Sequence, residues 1–156
     1  EWEGEAGERE GGGERERDAD AGGDGADPER VGQLVEEEGV NERMAEFINP
    51  LAMLGEKMTK FTTELGFKAF QNPDEVGAAA VDYLRVAGHL VMGYFWARMA
   101  QVALRAIANG NTDPFYTAKL QTARFYFARL FPETASCMLA ARTGAKVLMD
   151  TDAIFA

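Results

Sequence analysis

The sequence predicts an all-α protein, an antiparallel up-down four-helix bundle preceded by a disordered acidic tail. Three observations lead there. An Asn-Pro or Asp-Pro start signal recurs at Asn49-Pro50, Asn72-Pro73 and Asp113-Pro114. Apolar residues between these signals step by threes and fours, the spacing of one helix face. No window shows the strict alternation of a half-buried strand. Connections of a few residues make successive helices antiparallel neighbours.

The chain has 156 residues, with 26 acidic and 16 basic side chains and a formal charge of −10. The charge is lopsided, because residues 1–30 hold 12 acids and 4 bases. That segment also holds 8 of the 17 glycines and no Leu, Ile, Val, Met or Phe. Such a composition buries too little apolar surface to offset chain entropy, so residues 1–30 are expected to be disordered. Residues 31–48 are expected to be a linker or a short helix held by Met44, Phe47 and Ile48. The bundle is expected over 49–152.

The first bundle helix is expected to start at Asn49-Pro50, with Asn as cap and Pro where its missing N–H costs nothing. Its seam is Leu51, Leu54, Met58, Phe61 and Leu65, with Glu56, Lys57, Lys60 and Glu64 mostly outside. The second runs from Asn72-Pro73-Asp74-Glu75, with acids in the first turn, to Asn109-Gly110, where Gly110 suits a left-handed closing residue. Its polar stripe changes side, from Asp82, Arg85 and His89 to Arg98, Gln101 and Arg105. A helix whose wet side swaps must be packed between partners, so this is the central helix. For the same reason Tyr94, Phe95 and Trp96 cannot all face one neighbour. The third helix starts at Asp113-Pro114 and buries Tyr116, Leu120, Ala123, Phe127 and Leu130. The fourth follows Pro132-Glu133 and buries Met138, Ala141, Ala145 and Leu148.

Several function classes drop out. An acidic chain without a clustered basic face is a poor nucleic-acid binder. No stretch reaches roughly 18 uninterrupted apolar residues, so no transmembrane segment is expected. The amino end lacks a secretory pattern, and the single cysteine excludes an internal disulfide framework; a cytoplasmic location is expected. The first methionine is Met44, so the chain is taken to be part of a longer protein. A membrane-surface module is disfavoured by the missing basic amphipathic face.

Catalytic constellations are sparse. One His and one Cys do not make a metal site. His89 reads as a surface or boundary histidine and Cys137 as a small packed hydrophobe. Gly11, Gly12 and Gly13 lie in acidic surroundings that repel phosphate. No catalytic, cofactor-binding or metal-ligating residue is assigned. Two features stand out, Asp82-Tyr83-Leu84-Arg85-Val86-Ala87-Gly88-His89 continuing through Gly93-Tyr94-Phe95-Trp96-Ala97-Arg98-Met99-Ala100, and Phe115-Tyr116-Thr117-Ala118-Lys119-Leu120 followed by Ala123-Arg124-Phe125-Tyr126-Phe127, where small residues beside large rings permit close helix approach. Lys119, Arg124 and Arg129 can add cationic contacts along the second.

Residues from about 49 to 150 resemble the extra C-terminal helical domain of a branch of acyl-CoA dehydrogenases. This is the acetyl-CoA dehydrogenase-like C-terminal domain of the methylmercaptopropionyl-CoA dehydrogenase-like branch. The resemblance rests on Asp82-Tyr83-Leu84-Arg85, the Gly93 to Ala100 stretch and Phe115-Tyr116-Thr117-Ala118-Lys119-Leu120. It continues through Ala123-Arg124-Phe125-Tyr126, Leu130-Phe131-Pro132-Glu133 and Arg142-Thr143-Gly144-Ala145. It implies a parent flavoprotein of fatty-acid metabolism that uses FAD to oxidise acyl-CoA thioesters between the α and β carbons. In that family a glutamate takes the α-proton while hydride leaves the β-carbon for the flavin. The base, the flavin pocket and the CoA surfaces lie mainly in an upstream core, so none is expected in this chain. The family's glutamate often sits in Tyr-Glu-Gly-Thr; Trp2-Glu3-Gly4-Glu5 shares only the Glu-Gly pair, and Glu3 is given no role.

The resemblance thus implies a non-catalytic helical module that packs on the upstream core or a neighbouring subunit, in an enzyme expected to be a homo-oligomer. The alternative is a free-standing helical oligomerisation or interaction protein.

Overall fold

The computed structural model describes residues 28–149. The disorder expected for 1–30 therefore falls, over 1–27, outside the described residues, as do residues 150–152 of the expected bundle. Among the described residues the chain is all-helical, with no strand. The helices are α1 (Pro28–Glu38), α2 (Ala45–Gln71), α3 (Asp74–Ala108), α4 (Pro114–Phe125), α5 (Glu133–Ala141) and α6 (Lys146–Met149). A π-helical turn, Tyr126–Leu130, joins α4 to α5.

The swap of the polar stripe on α3 has the expected consequence: this helix packs against α2, α4 and α5. At 35 residues it is also the longest, about 50 Å at 1.5 Å per residue. Asp74 and Glu75 occupy its first turn, and it closes on Asn109 with Gly110 at φ +82°. The first seam is equally plain, because Leu51, Leu54, Met58 and Phe61 are all buried on α2. At the start of α4 the Asp113 side chain accepts the Phe115 N–H at 2.9 Å, and Pro114 follows the cap.

Four expectations need correction. The Asn49-Pro50 signal is not a helix start; α2 begins at Ala45 and carries Pro50 inside. Met44, Phe47 and Ile48 are completely buried, and holding them there extends the helix one turn upstream. Pro50 forfeits one backbone bond, a smaller loss than leaving three large apolar side chains in water. Residues 31–48 divide between α1, a turn and the start of α2. α1 itself opens at Pro28, so residues 28–30 of the expected tail are helical.

The third helix changes register at the π turn. Phe131 N–H donates to the Tyr126 carbonyl, a bond across five residues instead of four. The inserted residue brings Tyr126 and Phe127 inward together, buries Phe131, and turns the expected core residue Leu130 outward. The fourth helix is short. α5 stops at Ala141, Gly144 adopts φ +81°, and Leu148 is exposed, although Met138, Ala141 and Ala145 are buried as expected. The turn at Gly144 is tied back to the first turn of α3, where the Glu75 carboxylate accepts the Ala145 N–H at 3.1 Å.

Candidate functional site

Two polar clusters interrupt the apolar interior. The first lies where α3, the π turn and α5 meet. His89 points from α3 at the first residue of the π turn and the first residue of α5. Its Nδ1 is 3.0 Å from the Tyr126 hydroxyl, and its Nε2 is 3.5 Å from a Glu133 carboxylate oxygen. Arg85, one turn earlier on α3, pairs with the same carboxylate. A neutral imidazole protonated on Nε2 satisfies both partners, donating toward Glu133 and accepting the phenol at Nδ1. Trp96 stacks on Tyr126 with ring centroids 6.2 Å apart, and Phe127 and Phe131 pack edge-on around it. Burial pushes the Tyr126 phenol up to about 12, so it stays protonated at neutral pH and serves as a donor.

Carboxylate, imidazole and phenol in a row are the parts of a proton relay. Here the three groups are tied to one another. Tyr126 is buried, its hydroxyl also faces the His89 carbonyl at 3.3 Å, and neither residue lines any of the three grooves described below. The arrangement cross-ties three elements at the point where the π turn perturbs the helix. His89, expected at the surface or boundary, is thus half-buried and fully engaged.

The second cluster joins α1 to α3. Glu38 is buried and accepts hydrogen bonds from Gln101, from Asn41 at 2.7 Å and from Arg105 at 2.8 Å. Burial alone raises its carboxyl, but the bonds from Gln101, Asn41 and Arg105 outweigh it and hold the group below its ordinary value. Gln101, expected on a wet stripe, is buried by this network, while Arg98 donates to it at 3.0 Å. The remaining expectations place simply. Cys137 is buried; Lys119 lies over the Phe115 ring at 5.3 Å; Arg124 grips Glu46 of α2 with two nitrogens; Arg129 is exposed. Glu3 lies outside the described residues.

Three open grooves mark the surface of the described residues. The largest, about 860 Å³, runs between α1, α2 and α3 and is lined by Val35, Gly55, Thr59, Tyr83 and Leu90 among others. One of about 350 Å³ lies between α2 and α5, and one of about 260 Å³ lies between α3 and α4. The large groove does not suit a flavin dinucleotide. Lys60 is its one basic lining residue, and its backbone N–H groups lie mid-helix, already engaged, where a diphosphate needs donors that point outward. Among the described residues no group of three or more His, Cys, Asp or Glu side chains converges to hold a metal ion. None of the described helices is long and apolar enough to cross a membrane.

Sequence reasoning had singled out His89 but not its partners. The Tyr126 and Glu133 contacts span 37 and 44 positions and depend on the π turn, which leaves no periodic trace. Glu38 sits in the run Glu36-Glu37-Glu38, where nothing marks one acid as the buried one.

These features define an all-helical module held by aromatic packing and two polar ties. The chain belongs to the family described as acetyl-CoA dehydrogenase C-terminal like, whose model matches residues 29–152. The match takes in α1, which lies upstream of the resembling motifs. No curated protein matches the sequence.

Proposed function

We propose that this chain is the C-terminal helical module of an FAD-dependent acyl-CoA dehydrogenase, itself non-catalytic, and that it packs on the enzyme core or a neighbouring subunit. The observation that carries the reading is the family match across residues 29–152, which spans nearly all of the described helices. In such an enzyme the flavin accepts hydride and an upstream glutamate takes the α-proton. The module's part is to be rigid and to present a surface.

One end of the molecule suits the core. There the last turns of α2 expose Phe67 and Phe70, and α5 and α6 expose Leu139, Val147 and Leu148. The Arg142–Glu64 pair and the Glu75–Ala145 bond bring these elements to one end. Apolar side chains grouped in this way mark an interaction surface. The short Asn72-Pro73 link and the Gly110 turn support an antiparallel up-down arrangement of α2 to α5.

The test is biochemical. Purified chain is expected to show no flavin absorbance and no acyl-CoA-dependent dye reduction. A stoichiometric yellow chromophore, or turnover with any acyl-CoA, would contradict the reading.

A further inference from the structure

Besides the side buried in the molecule, α3 carries a second apolar seam that faces outward. Val81, Leu84, Met92, Phe95 and Val102 are all exposed, the first two at 71% and 72% and Val102 at 58%. With Gly88 and Met99 they keep a spacing of three and four over six turns, so they share one stripe. The two arginines at its edges do not charge it, because Arg85 is turned to Glu133 and Arg98 to Glu37.

Apart from Met92, which lies beside the midpoint, the seam positions balance about its centre. About a midpoint between Val91 and Met92, Val81 balances Val102, Leu84 balances Met99, and Gly88 balances Phe95. The last pairing sets the smallest residue against the largest. A β-carbon at Gly88 would have nothing within 4 Å, so the notch there is open, while the Phe95 ring stands exposed seven residues away. A two-fold interface requires this property: each position must meet its own counterpart on an identical surface.

We infer that a second copy of this chain docks antiparallel on α3, with the two-fold axis passing between Val91 and Met92 and each Phe95 ring seated over Gly88 of the other copy. Each open notch takes the Phe95 ring of the other copy, and the two helices pack at an ordinary separation, roughly 8–10 Å between axes. The seam offers on the order of 500 Å² per copy, the size at which an exposed apolar patch marks an interaction site. Two such patches face to face reach the ~1,000 Å² that a specific interface must clear. Exposed Phe115 of α4, which shares a groove with Phe95 and Val102, widens the contact. The inference deepens the neighbouring-subunit part of the proposed function and uses only this chain's residues, so it survives if the flavoprotein assignment fails.

Cysteine pairing in the full 156-residue chain tests the register. Helices placed in this way bring Met92 of one copy, half a residue from the axis, within disulfide reach of Met92 of the other, and Val81 within reach of Val102. Under mild oxidation Met92→Cys is expected to give a covalent dimer. Val81→Cys alone and Val102→Cys alone are expected to stay monomeric, and an equimolar mixture of the two to cross-link. Gly88→Leu separates docking from folding. It fills open space and raises helix propensity, so the melt is expected to hold or rise while dimer affinity falls at least tenfold by sedimentation. The inference is overturned if the parent chain is monomeric at every concentration. Val81→Cys linking to itself as readily as Met92→Cys does, or Gly88→Leu associating normally, would overturn it as well.

Discussion

A β-carbon placed on Gly93 would sit 2.8 Å from Cε2 of Phe131 and 3.2 Å from Cδ1 of Leu51. The glycine lets the ring lie against the α3 backbone, where Phe127 holds it at a centroid distance of 5.0 Å. Alanine at this position gains about 1 kcal/mol of helix propensity and loses more to overlap, because a packed ring cannot retreat as a flexible chain end can. Gly93→Ala is expected to destabilise by a net ~1–3 kcal/mol in urea. Gly88→Ala on the same helix, facing open space, is expected to gain up to ~1 kcal/mol. Equal effects at the two glycines would contradict the packing.

The three consecutive rings of α3 have different surroundings. Tyr94 is buried, Trp96 is half-buried and stacked on Tyr126, and Phe95 is exposed. Measured at high dilution, Tyr94→Ala is expected to cost ~3–5 kcal/mol and Trp96→Ala nearly as much. Phe95→Ala should cost less, ~1–2 kcal/mol, since the ring keeps 39% of its surface in water in one copy. A Phe95→Ala loss as large as that of Tyr94→Ala would place the ring inside the fold.

Glu38 links stability to pH. Its carboxyl lies below the ordinary value of 4.5 in the folded chain, so the folded state binds the proton less tightly than the unfolded one. The stabilisation is therefore full above pH 4.5 and is lost as pH falls through the folded value. Urea midpoints for the parent and Glu38→Gln are expected to differ by roughly 1–3 kcal/mol at pH 7, the scale of hydrogen bonds to a charged group. That gap should close as pH falls below 4.5. A gap that is constant from pH 7 to pH 3 would remove Glu38 from the account.

Residues 1–27 contain no Leu, Ile, Val, Met or Phe. A chain beginning at Pro28 is expected to melt within the error of the parent, because surface segments without apolar anchors contribute little. A clear loss of melting temperature would show that the acidic segment docks on the helices.

How far the fold was legible follows from which interactions are local. The limits of α3 were readable, since Asn72-Pro73 and Gly110 act within a turn of their own position. The Leu51 to Phe61 seam was readable because its period is written in consecutive residues. Pro50 misled for the opposite reason. A local breaker was overruled by Met44, Phe47 and Ile48, whose burial depends on elements far along the chain. The π turn was invisible because it shifts the period by one residue, moving Phe131 in and Leu130 out without altering composition. The His89 and Glu38 ties were unreadable in their partners, which, Asn41 apart, sit 37 to 67 positions away.

The central claim, that this helical chain is the module of a larger dehydrogenase, is tested most directly by the reading frame upstream of Glu1. The account predicts that the gene continues there, in frame, into a flavoprotein core with a helical domain, a β-domain and a second helical domain. Expressed together, core and module should co-purify with bound flavin and oxidise an acyl-CoA. A stop codon followed by a separate start for this chain, and no association with any such core, would contradict the claim. The chain would then be a free-standing helical protein, working through its outward faces.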